Sequence, residues 1–228
     1  MSVEASGVKT LVRSLGADLC GIAASERFAS APAGFRPTDI DRRARSVIVY
    51  AKRLPTSSLV GDNCVPYTLV NAQAAQEVDR LTMNVCLQLE DVGLRAVPIP
   101  SDDPYEHWEP ERSYGRAILS LRHAGHLAGL GELGKNTLLI NPDFGNMIQL
   151  GAVLVDAQLE PDPLAGSEIC PADCRLCLDV CPQRALDGTT VDQRRCRPLS
   201  NYQSEKGYLL KRCNRCRAVC PYALGTKR

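Results

Sequence analysis

Eight of the eleven cysteines lie between Cys170 and Cys220, in two groups with short gaps. Cysteine thiolates at such gaps wrap around one iron–sulfur cube, and the cysteine that precedes a proline binds the neighbouring cube. Both groups end in this way, at Cys181-Pro182 and Cys220-Pro221. The spacing therefore predicts two [4Fe–4S] clusters in this segment.

Because each cysteine that precedes a proline is expected to bind the cluster of the other motif, the eight predicted ligands form two sets. The first thiol set is Cys170, Cys174, Cys177 and Cys220. The second thiol set is Cys181, Cys196, Cys213 and Cys216. Three residues separate Cys170 from Cys174 where the motif usually has two, so this end of the first set departs from the standard pattern. The alternative is zinc, because Cys-x-x-Cys pairs also build zinc ribbons and knuckles.

The other three cysteines are Cys20, Cys64 and Cys86. Cys20 lies in an apolar stretch and Cys86 lies beside the apolar stripe of a predicted helix, so both are interpreted as packing residues. Cys64 falls in a predicted loop, where a reactive thiol is the alternative to a bystander. Many cysteines in a reducing compartment favour metal binding over disulfides.

No sequence stretch reaches the length of a membrane span, and the N-terminus lacks the basic and apolar regions of a secretory signal. We therefore expect a cytoplasmic protein without a membrane partner. The net charge of +1 gives no general reason to expect nucleic acid as a partner. The charge is uneven, because the segment from Glu168 onward has 12 Lys and Arg against 6 Asp and Glu. Such a basic segment offsets anionic clusters or, alternatively, docks an acidic electron donor.

Apolar periodicity and turn residues predict strands that alternate with helices, which indicates an α/β sandwich. The predicted helices cover 4–15, 67–92 and 113–130, and the predicted strands cover 18–24, 46–52, 95–99 and 149–155. Segment 160–166 contains Pro and Gly and is predicted to be a linker. We therefore expect two domains, residues 1–160 and residues 161–228.

A glycine-rich segment, Gly129-Leu-Gly-Glu-Leu-Gly-Lys-Asn136, matches the pattern G-x-G-x-x-G. In dinucleotide-binding proteins this pattern follows a strand and opens a helix. Here a predicted helix precedes it, so a nicotinamide cofactor is disfavoured. A turn rich in glycine still allows the backbone to approach a flat or anionic ligand closely.

The strings AGLGELGKNTLLINPDFG and LGAVLVDAQLEPDPL, followed by the two cysteine groups, resemble the shared core of epoxyqueuosine reductases and reductive dehalogenases. The resemblance covers about residues 122–221, and Arg195-Cys196 matches the isolated ligand cysteine of that family. It implies a nitroreductase-like α/β sandwich that holds a corrinoid, followed by a small ferredoxin-like domain with two clusters. The residues that would line the corrinoid pocket are Gly129, Gly131, Gly134, Lys135 and Asn136. FMN is the alternative cofactor, because nitroreductase-like folds commonly hold it.

Candidate proton donors lie just before the glycine-rich segment. Epoxyqueuosine reductases carry an Asp there, whereas residues 115–119 of this chain contain none. Tyr114 and His123 are therefore the catalytic candidates, since a phenol or an imidazole can deliver a proton to a reduced substrate. His126 shares a helix face with His123, and the ordinary interpretation of the pair is a polar helix surface. Trp108 either caps a flat ligand or packs.

Three functions are compatible with these features. The first is a cobalamin-dependent oxidoreductase that passes electrons from the clusters to a small molecule. The second is a non-catalytic electron carrier, so the sequence leaves open whether the chain is an enzyme. The third, ranked last, is a zinc module that binds RNA. Expected partners are a low-potential electron donor and a small-molecule substrate, with nucleic acid disfavoured and pairing into a homodimer expected only from fold analogy.

Overall fold

A computed structural model describes residues 4–59, 61–104, 106–166 and 169–226. The helices are α1 (Ala5–Ser14), α2 (Pro37–Ile40), α3 (Cys64–Asp91), α4 (Leu121–Leu127), α5 (Leu176–Asp179), α6 (Gln193–Ser200) and α7 (Arg215–Ala218). The strands are β1 (Leu19–Ala24), β2 (Ser46–Arg53), β3 (Ala96–Ile99), β4 (His107–Glu109), β5 (Tyr114–Arg116), β6 (Glu132–Leu133), β7 (Leu139–Ile140), β8 (Ile148–Val155), β9 (Tyr202–Gln203) and β10 (Leu209–Leu210).

The core of the first 160 residues is a four-stranded sheet with the order β1-β2-β8-β3. Every neighbouring pair in it is antiparallel, and the two central strands align Ser46 with Val155. The apolar runs of β2 and β8 are buried almost from end to end, as expected for strands that are covered on both faces. The prediction of a mixed α/β fold is confirmed.

Alternate residues of the central strands supply two separate cores, because successive side chains in a strand point to opposite faces. Ile48 and Tyr50 pack with α1 and α3 on one face of the sheet. Val47 and Val49 pack with α4 and the segment that follows it on the other face. The sheet is therefore the middle layer of three, and α4 is positioned on it directly before the glycine-rich segment.

Helix α3 begins three residues earlier than the predicted start at residue 67. The side chain of Asn63 accepts a hydrogen bond from the Val65 backbone N–H at 2.8 Å and so caps the helix. Pro66 is tolerated in this first turn, where its missing N–H costs no helical hydrogen bond. Farther along, the Tyr50 hydroxyl lies 2.6 Å from the Thr82 hydroxyl, which ties α3 to the sheet.

The predicted helix over 113–130 is wrong in its first half. Residues 114–116 form β5, which pairs with β4, and only Leu121–Leu127 is helical. Ser113 has φ 45°, a left-handed conformation that ends any helix there. In addition, Gln193 from α6 exchanges two hydrogen bonds with the backbone of Gly115. These contacts come from distant residues, so local periodicity does not predict them.

Segment 160–166 crosses the edge of the sheet as an extended strap. The Asp162 backbone N–H donates to the Ile22 carbonyl at 2.9 Å, and the Asp162 carboxylate accepts from the Ile22 N–H at 2.9 Å. Lys9 forms an ion pair with the same carboxylate at 2.6 Å. The predicted linker is therefore fixed against β1, and it covers backbone groups that an edge strand would otherwise leave unpaired.

The cysteine-rich segment packs along the first 160 residues through hydrogen bonds to several elements. The Lys211 N–H donates to the Thr68 hydroxyl of α3 at 2.9 Å, and the Ile169 N–H donates to the Glu132 carboxylate at 2.6 Å.

Within the described ranges, no helix combines the length and apolar character that a membrane crossing requires.

Candidate iron–sulfur and ligand site

The two cysteine motifs fold into the same local structure. Each forms one helical turn, α5 or α7, and the residue before each turn has nearly the same backbone angles, φ −126° and ψ 1° at Arg175 and φ −131° and ψ 13° at Asn214. After the turns, the backbone N–H groups of Cys181 and Cys220 donate to carbonyls three residues earlier. The two motifs are therefore structural repeats that present their cysteines in equivalent ways.

The first thiol set is brought together. Burial raises the pKa of the Cys177 thiol, and the nearby thiols of Cys170, Cys174 and Cys220 raise it further. Burial likewise raises the pKa of Cys220, and the other thiols that act on it are Cys170 and Cys174. No thiol of the second set acts on either of these groups.

The second thiol set is brought together in the same way. Burial raises the pKa of the Cys216 thiol to about 11, with further contributions from Cys213, Cys196 and Cys181. Burial also raises the pKa of Cys196, on which Cys213 and Cys181 act as well. The thiols that raise one another's pKa thus fall into the same two sets that the cysteine spacing predicts.

Zinc and a four-iron cube require different spacings of the ligand sulfur atoms. A zinc ion needs all of its ligands about 2.0–2.3 Å from one centre. In a cube each thiolate binds a different iron, so the four sulfur atoms lie farther apart. Among the described residues, no group of three or more His, Cys, Asp or Glu side chains could hold a metal ion, although the eight cysteines are all described.

The other cysteines lie apart from the two thiol sets. Cys20 and Cys86 are buried in the core beneath α1 and α3, as their apolar surroundings predict. Burial raises the pKa of Cys20 to about 12 and that of Cys86 to about 11, so both are neutral thiols. Cys64 is the first residue of α3 and not part of a loop.

Lys135 and Asn136 contact the cysteine loops. The Lys135 ammonium donates to the carbonyls of Pro171, Ala172 and Cys174 at 3.1, 2.5 and 2.8 Å. The Asn136 amide donates to the Cys216 carbonyl at 3.0 Å. One side chain therefore holds the first motif and its neighbour holds the second. That Lys135 and Asn136 line a corrinoid pocket stays a prediction. Their hydrogen bonds hold the two cysteine loops against the glycine-rich segment.

The glycines of the segment are required by close contacts inside the protein. A Cβ atom at Gly129, where φ is +74°, would lie 2.2 Å from the Pro163 carbonyl of the strap. At Gly131 it would lie 2.2 Å from the Ile140 carbonyl, and at Gly134 it would lie 2.7 Å from the Ile140 side chain. These approaches account for the G-x-G-x-x-G pattern without a bound nucleotide or corrinoid.

Four charged side chains near the second thiol set act on one another, and Asp102, Arg122, Arg197 and Lys211 are here called the charged patch. Burial raises the pKa of Asp102 and lowers the pKa of Arg122. Lys211 and Arg197 lower the pKa of Asp102, and Asp102 raises the pKa of Arg122. Arg197 also acts on the Cys196 thiol, which brings the charged patch close to the second thiol set.

Sequence reasoning missed Asp102 because its partners come from distant parts of the chain. The preceding residue, Ser101, is fixed by hydrogen bonds to Asp79 and Ala75 of α3 and to Gln149 of β8. The acidic loop that follows β3 is therefore held at the point where Asp102 leaves it. The acidic character of the loop was the one signal in the sequence.

The two predicted proton donors, Tyr114 and His123, both have arginine side chains nearby. Tyr114 lies between two guanidinium groups, at 5.3 Å from Arg112 and 5.1 Å from Arg116. Burial lowers the pKa of His123, as do the charges of Arg122 and His126, and its Nδ1 atom lies 2.7 Å from the Ser120 hydroxyl. Trp108 is partly exposed and stacks on Arg197 at 4.9 Å, which places the β4–β5 hairpin against α6.

Comparison with known proteins finds similarity in both sequence and fold. No protein-family model matches the chain. The epoxyqueuosine reductase of Staphylococcus aureus is 38% identical over 117 residues, which are 46% of this chain and 30% of that protein. The enzyme of Pseudomonas aeruginosa is 37% identical over 106 residues, which are 42% of this chain and 29% of that protein.

Over these segments the chain is similar to epoxyqueuosine reductases. Its fold matches the epoxyqueuosine reductase from Streptococcus thermophilus with a TM-score of 0.66 and 19% identity, over 95% of this chain and 65% of the other. It also matches a catabolic reductive dehalogenase with a TM-score of 0.66 and 19% identity, over 95% of this chain and 31% of the other. The sequence alignments span about a third of the length of these curated epoxyqueuosine reductases.

Proposed function

We propose that the chain is an iron–sulfur reductase that passes single electrons from two [4Fe–4S] clusters to a molecule held at the charged patch. The observation that carries the proposal is the position of the charged patch near the second thiol set. Arg197 directly follows Cys196, Lys211 lies two residues before Cys213, and both act electrostatically on Asp102. A ligand bound at the charged patch would therefore lie close to one iron–sulfur cluster, as short-range electron transfer requires.

We further propose a division of labour between the two predicted domains. Residues 1–160, a nitroreductase-like sandwich, would hold the ligand, and residues 161–228, a ferredoxin-like unit, would hold the clusters. The repeated α5 and α7 turns support the second part, because the same turn recurs where each cube needs three closely spaced thiolates. Bound clusters supply reversible one-electron oxidation and reduction.

Three side chains are candidates for the proton that accompanies reduction. Asp102 is favoured by its position in the charged patch and by its raised pKa, which keeps a larger fraction of the carboxyl protonated. The lowered pKa of His123 leaves its imidazole neutral near pH 7. Tyr114 is the third candidate, although its ring is occupied by two guanidinium groups. Asp102 thus joins the two residues that the sequence indicated.

The identity of the acceptor rests on analogy with the relatives. One similar structure is described as suggesting a mechanism for B12-dependent dehalogenation, so a corrinoid is the first candidate and FMN the second. Another is an epoxyqueuosine reductase with a modified tRNA stem loop. That finding weakens our expectation that nucleic acid is not a partner, so we retain an RNA-borne substrate beside a free small molecule.

The experiment is anaerobic incubation of the cluster-loaded protein with cob(II)alamin, followed by desalting and by absorption and EPR spectroscopy. We expect cobalt to co-elute with the protein and its EPR signal to change. The variant Arg122→Gln should retain less cobalt, whereas Arg95→Gln, which removes a surface ion pair with Asp41, should match the unmodified protein. Parallel samples contain FMN or a tRNA anticodon stem loop. Loss of all three ligands on desalting would favour the electron-carrier function instead.

A further inference from the structure

Helix α3 exposes a line of residues on the side that faces away from the sheet. At about 100° per residue, the members of this line lie within about 40° of one direction along the helix. They are here called the α3 stripe and are Val65, Leu69, Ala72, Gln76, Arg80, Met83 and Leu87, all of them exposed. The four large apolar side chains among them are between 54% and 60% exposed.

The core of the chain does not account for the α3 stripe. The opposite face of α3 buries Val78, Val85 and Leu89 against the sheet. Single exposed apolar residues are ordinary on protein surfaces, so the argument depends on how those of the stripe are arranged. Apolar residues along two opposite sides are typical of a helix that packs on both of them.

The spacing of the α3 stripe is symmetric about Gln76. Val65 and Leu87 each lie 11 residues from Gln76, and Leu69 and Met83 each lie 7 residues from it. A two-fold interface requires a surface that is complementary to itself. When two copies of α3 lie antiparallel and cross at Gln76, Val65 of one copy meets Leu87 of the other, and Leu69 meets Met83.

The polar centre of the α3 stripe fits the same arrangement. Gln76 would meet Gln76 of the second copy, and a side-chain amide has both the donors and the acceptor that such a pair needs. The Gln73 amide already donates to Gln76 at 3.3 Å. Ala72 would meet Arg80, whose apolar stem packs well on a small residue. The Arg80 guanidinium pairs with Glu77 of its own helix at 3.2 Å.

The charges of α3 favour a second copy over an anionic partner. The helix contains four Asp and Glu residues and a single basic residue, Arg80. Nucleic acids and anionic lipid surfaces are bound by clusters of Lys and Arg. The α3 stripe therefore lacks the chemistry that recognises either of them.

Strand β10 widens the apolar surface beside the α3 stripe. The Lys211 N–H donates to the Thr68 hydroxyl at 2.9 Å, which places β10 next to the first turns of α3. Tyr208 and Leu209 are 67% and 52% exposed there. A helix stretch of about 33 Å by 10 Å covers about 330 Å², whereas a standard interface buries about 800 Å² per partner. The full interface must therefore include β10 and other neighbours of α3.

We propose that α3 is a self-association surface, through which two copies of the chain form an antiparallel pair with its two-fold axis at Gln76. Removal of the four large apolar side chains of each copy from water drives the association. The two-fold arrangement closes on itself and so stops at a dimer. Fold analogy alone predicted pairing, and the α3 stripe supplies the residues for it. The inference does not depend on the proposed clusters.

The test is sedimentation equilibrium of the anaerobically purified full chain over a range of concentrations. We expect a mass of twice the 24.8 kDa of one chain. Leu69→Glu and Met83→Lys each place a charge against an apolar residue of the other copy, so each variant should sediment as a single chain. Leu164→Glu, at a 49% exposed position of the strap, is the matched control and should remain a dimer.

The double variant Leu69→Glu with Met83→Lys tests the antiparallel register. In the proposed pair each introduced carboxylate meets an introduced ammonium, so the dimer should return. An equimolar mixture of the two single variants should form a mixed dimer for the same reason. In a parallel pair like charges would meet at both positions, and the double variant would stay a single chain.

Far-UV circular dichroism establishes that each variant keeps its helix content. A single-chain mass for the unmodified protein at up to about 100 μM would overturn the proposal. So would a double variant and a mixture that both fail to pair. Iron content is measured on the same samples, so failure of the dimer is distinguishable from failure of the proposed reductase.

Discussion

At the scale of single residues, Cys20 and Cys86 pack in the core, apart from the eight predicted ligand cysteines. Spacing predicts the two thiol sets, and the structure gives each thiol neighbours from its own set. Lys135 and Asn136, which the resemblance places in a corrinoid pocket, also donate to carbonyls of the cysteine loops. Sequence alone does not give these contacts, since they join residues more than thirty positions apart.

Lys135 provides a prediction about cluster retention. Lys135→Ala removes an ammonium that donates to three carbonyls of the first motif. A hydrogen bond to a charged group contributes about 1.5–3 kcal/mol, so the loop should open more often. We expect iron to be lost faster to a chelator under anaerobic conditions. Lys52→Ala, which removes one exposed bond to the Gly16 carbonyl, is the matched control and should lose iron at the unmodified rate. Equal rates for the two variants would contradict the role given to Lys135.

Asp102 provides a prediction about pH dependence. Because burial raises its pKa in the folded protein above the ordinary 3.8, the folded state binds this proton more tightly than the unfolded state does. The stabilisation from that proton is therefore present at low pH and is lost as the pH rises through the raised value. Replacing the Asp102 carboxyl with an amide, which does not ionise, removes this loss of stability.

We expect Asp102→Asn to melt at a higher temperature than the unmodified protein at pH 7, in anaerobic thermal denaturation. Asp103→Asn changes the adjacent exposed carboxyl, whose charge also raises the pKa of Asp102, and should have a smaller effect in the same direction. A lower melting temperature for Asp102→Asn would show that the carboxylate is stabilised by its cationic neighbours and not strained by burial.

At the scale of elements, the long periodic segments were predictable and the short ones were not. The strands near 46–52 and 149–155 and the helix near 67–92 lie close to their predicted positions, because each carries a strong apolar pattern. The prediction failed over 113–120, where Gln193 and a left-handed Ser113 impose a strand and a turn. Tertiary contacts override local propensity most readily in such short segments.

Gly129 tests the contact between the glycine-rich segment and the strap. Both Gly129 and Gly93 have positive φ, +74° and +85°, but only Gly129 has backbone where a Cβ atom would lie. Alanine in this conformation costs about 1–2 kcal/mol, and overpacking adds about 1–3 kcal/mol. Chemical denaturation should therefore show a larger loss of unfolding free energy for Gly129→Ala than for Gly93→Ala. Similar losses of unfolding free energy for the two variants would mean that the strap moves away from the added methyl group without an energetic penalty.

At the scale of the whole molecule, several hydrogen bonds join the cysteine-rich segment to the first 160 residues, and the charged patch contains residues from both parts. The fold similarity extends over 95% of the chain, whereas the sequence alignments cover less than half of it. The cysteine spacing predicts the ligands of the proposed clusters, but the charged patch combines residues from α4, α6 and two loops. The account of function therefore depends first on the identity of the metal.

The most direct measurement is the iron, acid-labile sulfide and zinc content of anaerobically purified protein. Two four-iron clusters predict about eight iron and about eight sulfide per chain, with little zinc. Cys181→Ser should reduce the iron content, and Cys20→Ser should leave it unchanged because Cys20 lies in the core away from both thiol sets. About two zinc ions per chain without sulfide would contradict the account.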